Sequence, residues 1–343
     1  MIMNSKQYVD KINYSLKKMD IGEFEEALNL LEIIVKSNFF KHLKYKDKLF
    51  IKKRLSRLQL LRGKFEEGWN NFTYNWIKNS HKFKKIFEQN SSIEYLLSLN
   101  GIKKNDSVLI WNDGGFGDYI YQLRLLKYLK NIKYLKIYNS EMDHLFKNKA
   151  MLVSDAKGFK WHLPLVEIPR VINYHPLKNK NFEYNYLVKP SKFYKNLSDF
   201  VGLTYKTKTS ESKSIKYHLL ENLFLSKKNI NFLIIQNNLE NDEINFFASF
   251  KNVHLLNDID KINIFEDTFN IVNSVKFVIS VDTAVGHIAG YLQKKNYLLL
   301  NFLGHFYWGY NKEKIKDYPN HIIIRQKISG DWSSVIDKII RLI

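Results

Sequence analysis

A polar segment directly after a short apolar run is the part of the chain best suited to binding an anion. Asp282 and Thr283 follow that run, and a small-residue, helix-compatible segment with Ala284, Val285 and His287 comes next. The pattern predicts a buried strand that turns straight into a helix. The unpaired amides and positive dipole end of such a helix can hold a diphosphate without a dedicated basic residue. The other interpretation is an ordinary turn capped by Asp282 and Thr283.

A glycine-rich turn at 112–118 presents a second group with chemical potential, the carboxylate of Asp118. The turn lacks the G-x-G-x-x-G spacing of a dinucleotide site. Gly115 and Gly117 would instead let the backbone pass close to a ligand and set Asp118 in the first turn of a helix. There Asp118 is either a cap that the helix dipole stabilises or a general base, and a base would need its pKa raised by partial burial.

The aromatic residues near the C-terminal end have two open interpretations. Phe306, Tyr307, Trp308 and Tyr310 would either stack on a sugar or a base, or pack against a loop or core.

Composition narrows the class of protein. The chain has 343 residues, 45% of them hydrophobic, and no cysteine, which excludes disulfides and cysteine-ligated metal. Its net charge of +20 comes almost entirely from lysine, whereas nucleic-acid sites favour arginine, so most of the charge is expected on a solvated face. No uncharged run is long enough to span a bilayer. We expect no metal site and a cytoplasmic protein with at most peripheral contact with the inner membrane surface.

The first part of the chain, from residue 8 to about Trp76, has apolar residues at helical spacing. Two segments repeat the order glycine, one residue, phenylalanine and two glutamates, beginning at Gly22 and Gly63. This predicts a short tetratricopeptide-like helical module, with a plain helical hairpin as the alternative. The basic, polar segment after it, with a helix at 93–99, is predicted to be a linker.

Two α/β units are predicted after the linker. The first begins with the strand at 107–111, and the proline-punctuated region at 157–189 is predicted to be a structured loop at the edge of its sheet. The second begins with a strand at 200–205. Ligand sites at the carboxyl ends of both sets of strands imply a cleft between the units.

The motifs together resemble glycosyltransferase family 9, the ADP-heptose:lipopolysaccharide heptosyltransferase-like family, in its tetratricopeptide-containing bacterial subgroup. The resemblance covers most of the chain from Gly63 onward. It rests on GKFEEGW (63–69), the turn ending at Asp118, LPLVEIPR (163–170), VGLTY (201–205), KSI (213–215), SVDTAVGHIAG (280–290), and the later DYP, RQ and GDW.

The resemblance implies a GT-B fold: two Rossmann-like domains facing across a cleft, preceded here by the helical module. The implied boundaries are 1–78 for the module, 79–105 for the linker, 106–199 for the acceptor domain and 200–343 for the nucleotide-sugar donor domain.

The resemblance also assigns roles to residues. Asp118 would be the general base, with Gly115 and Gly117 lining the cleft. The donor diphosphate would lie on Asp282, Thr283, Ala284 and Val285, with His287 one turn further on, either contacting the donor or bonding a neighbouring loop. The family's tryptophan-alanine-glycine is replaced here by residues 205–207 and its arginine by Lys213, so Lys206 and Lys213 are further candidates for reaching a phosphate.

The function implied is inverting, metal-independent transfer of a hexose or heptose from a nucleotide-diphosphate sugar to a hydroxyl of a surface glycan, lipopolysaccharide or protein. The donor is a substrate and no cofactor is expected. Partners would be the nucleotide sugar, a glycan, lipid-linked glycan or protein acceptor, and a protein bound through the helical module, but no nucleic acid. The alternative is a catalytically silent binding or scaffold protein.

Overall fold

The structure of the protein is a computed structural model. It describes residues 5–72, 81–103, 105–112, 114–138, 141–175, 185–208, 210–256, 259–261 and 263–343. The predicted end of the helical module near Trp76 and the predicted start of the linker lie outside these ranges. No helix in the described ranges is both long and apolar enough to cross a bilayer.

Residues 5–72 form an all-helical region, as the apolar spacing predicts. Its helices are α1 (Ser5–Asp20), α2 (Phe24–Lys36), α3 (Asn38–His42), α4 (Tyr45–Leu61) and α5 (Phe65–Asn71). Gly22 and Gly63 join α1 to α2 and α4 to α5 with φ of +85° and +82°, a backbone conformation that glycine adopts without strain. The two repeated segments therefore make equivalent helical turns, while the tetratricopeptide assignment stays a prediction.

The first sheet has five parallel strands, which are β1 (Glu94–Tyr95), β2 (Ser107–Trp111), β3 (Tyr134–Tyr138), β4 (Leu152–Val153) and β5 (Trp161–Pro164). They lie in the order β1-β5-β2-β3-β4. The helices of this part are α6 (His81–Gln89), α7 (Phe116–Leu123) and α8 (Ile168–Val171). Strand β2 is central and apolar, and it leads through the glycine-rich turn into α7.

Two sequence predictions about this sheet are wrong. The segment 93–99 is not a helix, because Glu94 and Tyr95 pair with β5 as an edge strand while Ile93 and Leu96 are buried beside it. Residues 161–164 are not a loop but the strand β5 between β1 and β2. A proline at the last position of a strand removes a single ladder donor, so Pro164 does not prevent the strand.

The second sheet has six parallel strands in the order β11-β10-β9-β6-β7-β8. The strands are β6 (Phe200–Thr204), β7 (Asn231–Ile234), β8 (Val253–Leu255), β9 (Phe277–Val281), β10 (Asn296–Leu300) and β11 (His321–Arg325). The helices are α9 (Glu221–Ser226), α10 (Asn241–Ala248), α11 (Glu266–Ser274), α12 (Ala284–Tyr291) and α13 (Ser333–Leu342). Two parallel sheets covered by helices, after an all-helical region, confirm the predicted GT-B-like fold class.

The two sheets are joined by direct packing between α7 and α12, the helices that follow β2 and β9. Leu123 of α7 and Ile288 of α12 belong to one buried apolar cluster, which also contains Trp69 of the helical region. Since each of these helices begins at the carboxyl end of a parallel strand, their N-termini meet between the two sheets.

Candidate functional site

Asp118 lies in the first turn of α7, partly buried, with both carboxylate oxygens engaged. The backbone amide of Gly115 donates to Oδ2 at 3.2 Å, and the hydroxyl of Tyr307 donates to Oδ1 at 2.5 Å. Burial raises the pKa of this carboxyl, although the hydrogen bond from Tyr307 opposes the shift. Asp118 therefore caps its helix, and its raised pKa is the property that the predicted general base requires, while the catalytic role stays a prediction.

Asp282 and Thr283 lie between β9 and α12, as the sequence predicts, and Thr283 holds the N-cap position. The carboxylate of Asp282 is buried. It accepts from the Lys213 ammonium at 2.7 Å and from Nε1 of Trp308 at 2.9 Å. Burial alone would raise the pKa of Asp282, but the charge of Lys213 outweighs it and the pKa is lowered. Asp282 is thus ionised at neutral pH, and Lys213 is anchored beside the start of α12.

The loop at 301–310, which we name the aromatic loop, connects the two carboxylates. Its neighbouring residues Tyr307 and Trp308 hydrogen bond to Asp118 and Asp282 respectively. Trp308 is fully buried, so it packs in the core, whereas Tyr307 is partly exposed. Of the two interpretations of the aromatic cluster, loop packing therefore describes Trp308.

Two arginines from different parts of the chain hydrogen bond to backbone carbonyls of the aromatic loop. Arg57 of α4 donates to the carbonyl of Gly304 at 2.7 Å, and Arg325 of β11 donates to the carbonyl of Gly309 at 2.6 Å. Among the described residues neither arginine forms an ion pair. Burial lowers the pKa of both, that of Arg325 to about 10, and Asp282 is the acidic group that partly offsets the shift. Lys213, Arg57 and Arg325 therefore place three cations around the single carboxylate of Asp282.

Several buried polar atoms around this region have no hydrogen-bond partner among the described residues. They are Oγ1 of Thr283, Nδ1 of His305, Nε of Arg325, and both amide atoms of Gln122, which lies one turn after Asp118 on the same face of α7. Buried polar groups are nearly always hydrogen-bonded in folded proteins. Their concentration at the junction of α7, α12 and the aromatic loop is typical of a site that binds a polar ligand.

His287 occupies the contact between the two helices. Its Nδ1 lies 3.1 Å from the Tyr318 hydroxyl, and a Cβ added to Gly117 would lie 2.5 Å from its ring. Burial lowers the pKa of His287 to about 3, so the ring is neutral at physiological pH. The hydrogen bond to a neighbouring loop is the second of the two roles predicted for His287. The absent side chain of Gly117 is what lets α7 approach α12.

The remaining predicted residues lie at the starts of α7 and α12, except Lys206, which pairs with a glutamate. Ala284 and Val285 form the first turn of α12, where backbone amides have no partner within the helix. Gly115 is the N-cap of α7. Lys206 instead forms an ion pair with Glu243 of α10, which also accepts from the Tyr205 hydroxyl at 2.7 Å. The structure thus brings Lys213 to Asp282 but engages Lys206 elsewhere.

Comparison with solved structures finds similar chains at low identity. The Escherichia coli heptosyltransferase WaaC with ADP is 13% identical, over 69% of this chain and 99% of that chain, with a TM-score of 0.47. The iron-containing dodecameric glycosyltransferase TibC from enterotoxigenic E. coli is 9% identical, over 58% and 59%, with a TM-score of 0.44. A family 9 glycosyltransferase from Veillonella parvula is 9% identical, over 65% and 87%, with a TM-score of 0.41. No family model and no curated protein sequence matches the chain.

Sequence reasoning missed the site residues that come from distant parts of the chain. Arg57 lies in a segment whose pattern predicts only a helix, and nothing there indicates a contact with the loop at Gly304. Gln122 has a weak signal, because it lies four residues after Asp118 on the predicted helix. Tyr307 belongs to the predicted aromatic cluster, but its hydrogen bond to Asp118 depends on how two separate sheets pack together.

Proposed function

We propose that the protein is an inverting glycosyltransferase that moves a sugar from a nucleotide-diphosphate sugar to a hydroxyl acceptor without a metal ion. The observation that carries the proposal is the opposition of two features across one junction. A carboxylate with a raised pKa, Asp118, extends from the first sheet, and the N-terminus of α12 extends from the second with Lys213, Arg57 and Arg325 around it. Accordingly, we assign the acceptor to residues 106–199 and the donor to residues 200–343.

Asp118 is the proposed general base. In the transfer step the acceptor oxygen attacks the anomeric carbon of the donor sugar from the face opposite the diphosphate. The bond from that carbon to the diphosphate oxygen breaks, and the acceptor proton passes to Asp118. A carboxyl whose pKa is raised by burial is a stronger base than an exposed aspartate. The hydroxyl of Tyr307 occupies Oδ1 in the structure, so the acceptor hydroxyl would replace it there.

The start of α12 is the proposed site of the leaving diphosphate. The amides of Ala284 and Val285 and the hydroxyl of Thr283 would donate to phosphate oxygens, and the helix dipole favours the negative charge that develops on them. Lys213 pairs with Asp282 beside the start of α12, where its ammonium would also reach a phosphate oxygen, and Arg57 and Arg325 have no ion-pair partner among the described residues. Their positive charge offsets that of a diphosphate. His287, being neutral, would position α12 against α7 rather than bind phosphate.

The direct test is a screen of the purified full chain against ADP-, GDP- and UDP-sugars. Thermal shifts with each nucleotide diphosphate report donor binding, and release of the nucleotide reports turnover. When a product forms, the anomeric configuration of the transferred sugar is read by NMR. We expect binding of one nucleotide class, slow donor hydrolysis, and inversion at the anomeric carbon. A retained configuration would contradict the mechanism.

The second candidate function, a silent scaffold, is favoured by one observation. Both oxygens of Asp118 are occupied by groups of the protein itself. Nucleotide binding with no turnover of any donor would support that alternative.

A further inference from the structure

We propose that His305 of the aromatic loop is a further residue of the donor site, whose ring takes up a proton when the donor diphosphate binds and donates a hydrogen bond to it. This inference rests on the proposed transferase function, because it requires a diphosphate at the start of α12. His305 lies outside the motif at 280–290, and the family resemblance assigns it no role. Its assignment depends on the contacts and charges around its ring.

His305 is partly exposed, and its Nδ1 is buried without a hydrogen-bond partner among the described residues. A buried ring nitrogen normally has a partner, so a ligand is expected to supply one. His287 is already bound by the protein, because its Nδ1 lies 3.1 Å from the Tyr318 hydroxyl. His321 also has an unpartnered Nδ1, but it is fully buried against the rings of Trp308 and Tyr318, so its ring belongs to the core. His305 is therefore the histidine of this region that is placed to bind a ligand.

The aromatic loop holds His305 next to cations of the proposed donor site. The preceding residue, Gly304, accepts from Arg57 at 2.7 Å through its carbonyl. A Cβ on Gly304 would overlap Nη1 of Arg325, so this guanidinium packs directly on the backbone before His305. The ring of Tyr307 lies 3.8 Å from that of His305, and burial raises the pKa of Tyr307 well above its ordinary value, so its hydroxyl is uncharged. The charges nearest the loop backbone at His305 are thus positive.

The charged groups that act on the ring of His305 are also those of the proposed donor site. Burial has the largest effect, and it lowers the pKa of His305 well below the ordinary 6.5. The carboxylate of Asp282 opposes this shift, whereas Lys213, Arg57 and His287 add to it. The ring is therefore neutral at pH 7 when no donor is bound.

A bound diphosphate would reverse this balance of charge. Its negative charges favour the protonated ring and raise the pKa of His305, because a nearby opposite charge stabilises the charged form. The proton comes from solvent, and the ring N–H donates to a phosphate oxygen. When the bond to the anomeric carbon breaks, the leaving phosphate gains negative charge, so this hydrogen bond strengthens during transfer. The ring returns its proton to solvent when the nucleoside diphosphate dissociates.

The test is isothermal titration calorimetry of the full chain with ADP-glucose, GDP-mannose and UDP-glucose, whose diphosphates do not titrate near pH 7. Titrations in PIPES, HEPES and imidazole buffers count the protons taken up, because the observed enthalpy changes with the ionisation enthalpy of the buffer. We expect the wild type to take up at least about half a proton per donor at pH 7, and to bind the donor at least about tenfold more tightly at pH 6 than at pH 8.

His305→Gln keeps an N–H donor but cannot take up a proton. We expect this variant to show almost no proton uptake and nearly equal donor affinity at the two pH values. The matched control is His218→Gln, which replaces an exposed histidine outside the site and keeps the wild-type uptake.

The outcomes separate this proposal from the transferase proposal. Proton uptake that is lost in His305→Gln and kept in His218→Gln supports the role of His305. Donor binding by the wild type without proton uptake, a result that needs no variant, overturns it. Equal uptake in His305→Gln and the wild type, or equal loss in both variants, also overturns it, and each of these results leaves the transferase proposal standing. Binding of none of the three nucleotide sugars contradicts the donor site and therefore both proposals.

Discussion

The carboxylate of Asp118 accepts from the backbone amide of Gly115 and from the hydroxyl of Tyr307 in the aromatic loop, and these contacts influence its pKa. Burial raises its pKa above the ordinary 3.8, while the Tyr307 hydroxyl favours the charged form and limits the rise. The proposed transfer step requires the ionised form of Asp118. We therefore expect activity to be lost on the acid side, at a higher pH than an exposed aspartate would show.

The first prediction concerns Tyr307→Phe. Removing the hydroxyl removes a donor to the carboxylate, so the pKa of Asp118 rises further and the acid limb of kcat/KM moves to higher pH. The pH profile of kcat/KM measures this, because it reports groups of the free enzyme, where Tyr307 bonds Asp118. Tyr297→Phe, which removes a hydroxyl bonded to the carbonyl of Leu342, is the control and leaves the limb in place. If the acid limb of kcat/KM in Tyr307→Phe stays in place or moves to lower pH, the Tyr307 hydroxyl does not control the pKa of Asp118.

The second prediction concerns Lys213. Lys213→Met leaves the buried carboxylate of Asp282 without its cation, which lowers the free energy of unfolding by about 1–3 kcal/mol and weakens nucleotide-diphosphate binding. Adding Asp282→Asn removes the unpaired charge, so the double variant regains stability in urea titration but not nucleotide affinity. Recovery of both properties would show that Lys213 acts only on Asp282.

Some individual residues of the candidate site are predictable from the sequence. Asp118, Asp282 and Thr283 are identifiable because each lies within three residues of the start of a helix that follows an apolar strand. Tyr307, Arg57 and Gln122 are not, since their roles depend on which side chains meet when separate elements pack.

The packing of α7 against α12 brings Asp118 close to the N-terminus of α12, and this close packing depends on Gly117. The third prediction is that Gly117→Ala lowers the free energy of unfolding by about 1–3 kcal/mol, because the new Cβ would lie 2.5 Å from the buried ring of His287. It also lowers transfer activity, since Asp118 is the next residue. Chemical denaturation measures the first effect.

Gly101→Ala is the matched control for that helix contact. A Cβ at position 101 would have no neighbour within 4 Å, and the φ of Gly101 is not positive. We therefore expect the free energy of unfolding of the Gly101→Ala variant to equal or slightly exceed that of the wild type. Equal stability of the two variants would mean that α7 can move away from α12 at little cost.

The elements themselves were mostly predictable. The apolar runs at β2, β6 and β9 and the helices after them follow from periodicity. The pattern does not predict the two-residue edge strands β1 and β4, which are too short for a periodic signal, or β5, where Pro164 indicates a break.

At the scale of the molecule, the two sheets are tied by a buried ion pair. Arg124, the residue directly after α7, donates to Asp317 at 2.7 Å, and both side chains are almost completely buried. The fourth prediction is that Arg124→Met lowers the free energy of unfolding by about 3–5 kcal/mol, because it leaves Asp317 buried without its cation. The control is Lys338→Met, which removes an exposed pair with Glu313 and leaves the urea midpoint unchanged.

The overall arrangement could be predicted only through the resemblance. Composition and periodicity predict two α/β units and a helical module, but they do not say that the module contacts the aromatic loop through Arg57. The same holds for Arg124 and Asp317, whose sequence separation of 193 residues hides their pairing.

Single-turnover sugar transfer by Asp118→Asn, measured with the donor that the nucleotide-sugar screen identifies, distinguishes a general base from a helix cap. Asparagine keeps the shape but cannot accept the acceptor proton at neutral pH. Because the pKa of Asp118 is raised, its ionised form opposes folding as pH rises through that pKa, so the variant should be at least as stable at pH 7 as the wild type. We predict donor affinity within about twofold of the wild type and transfer at least about 100-fold slower. Transfer at the wild-type rate by this folded, donor-binding variant would show that Asp118 is not the general base.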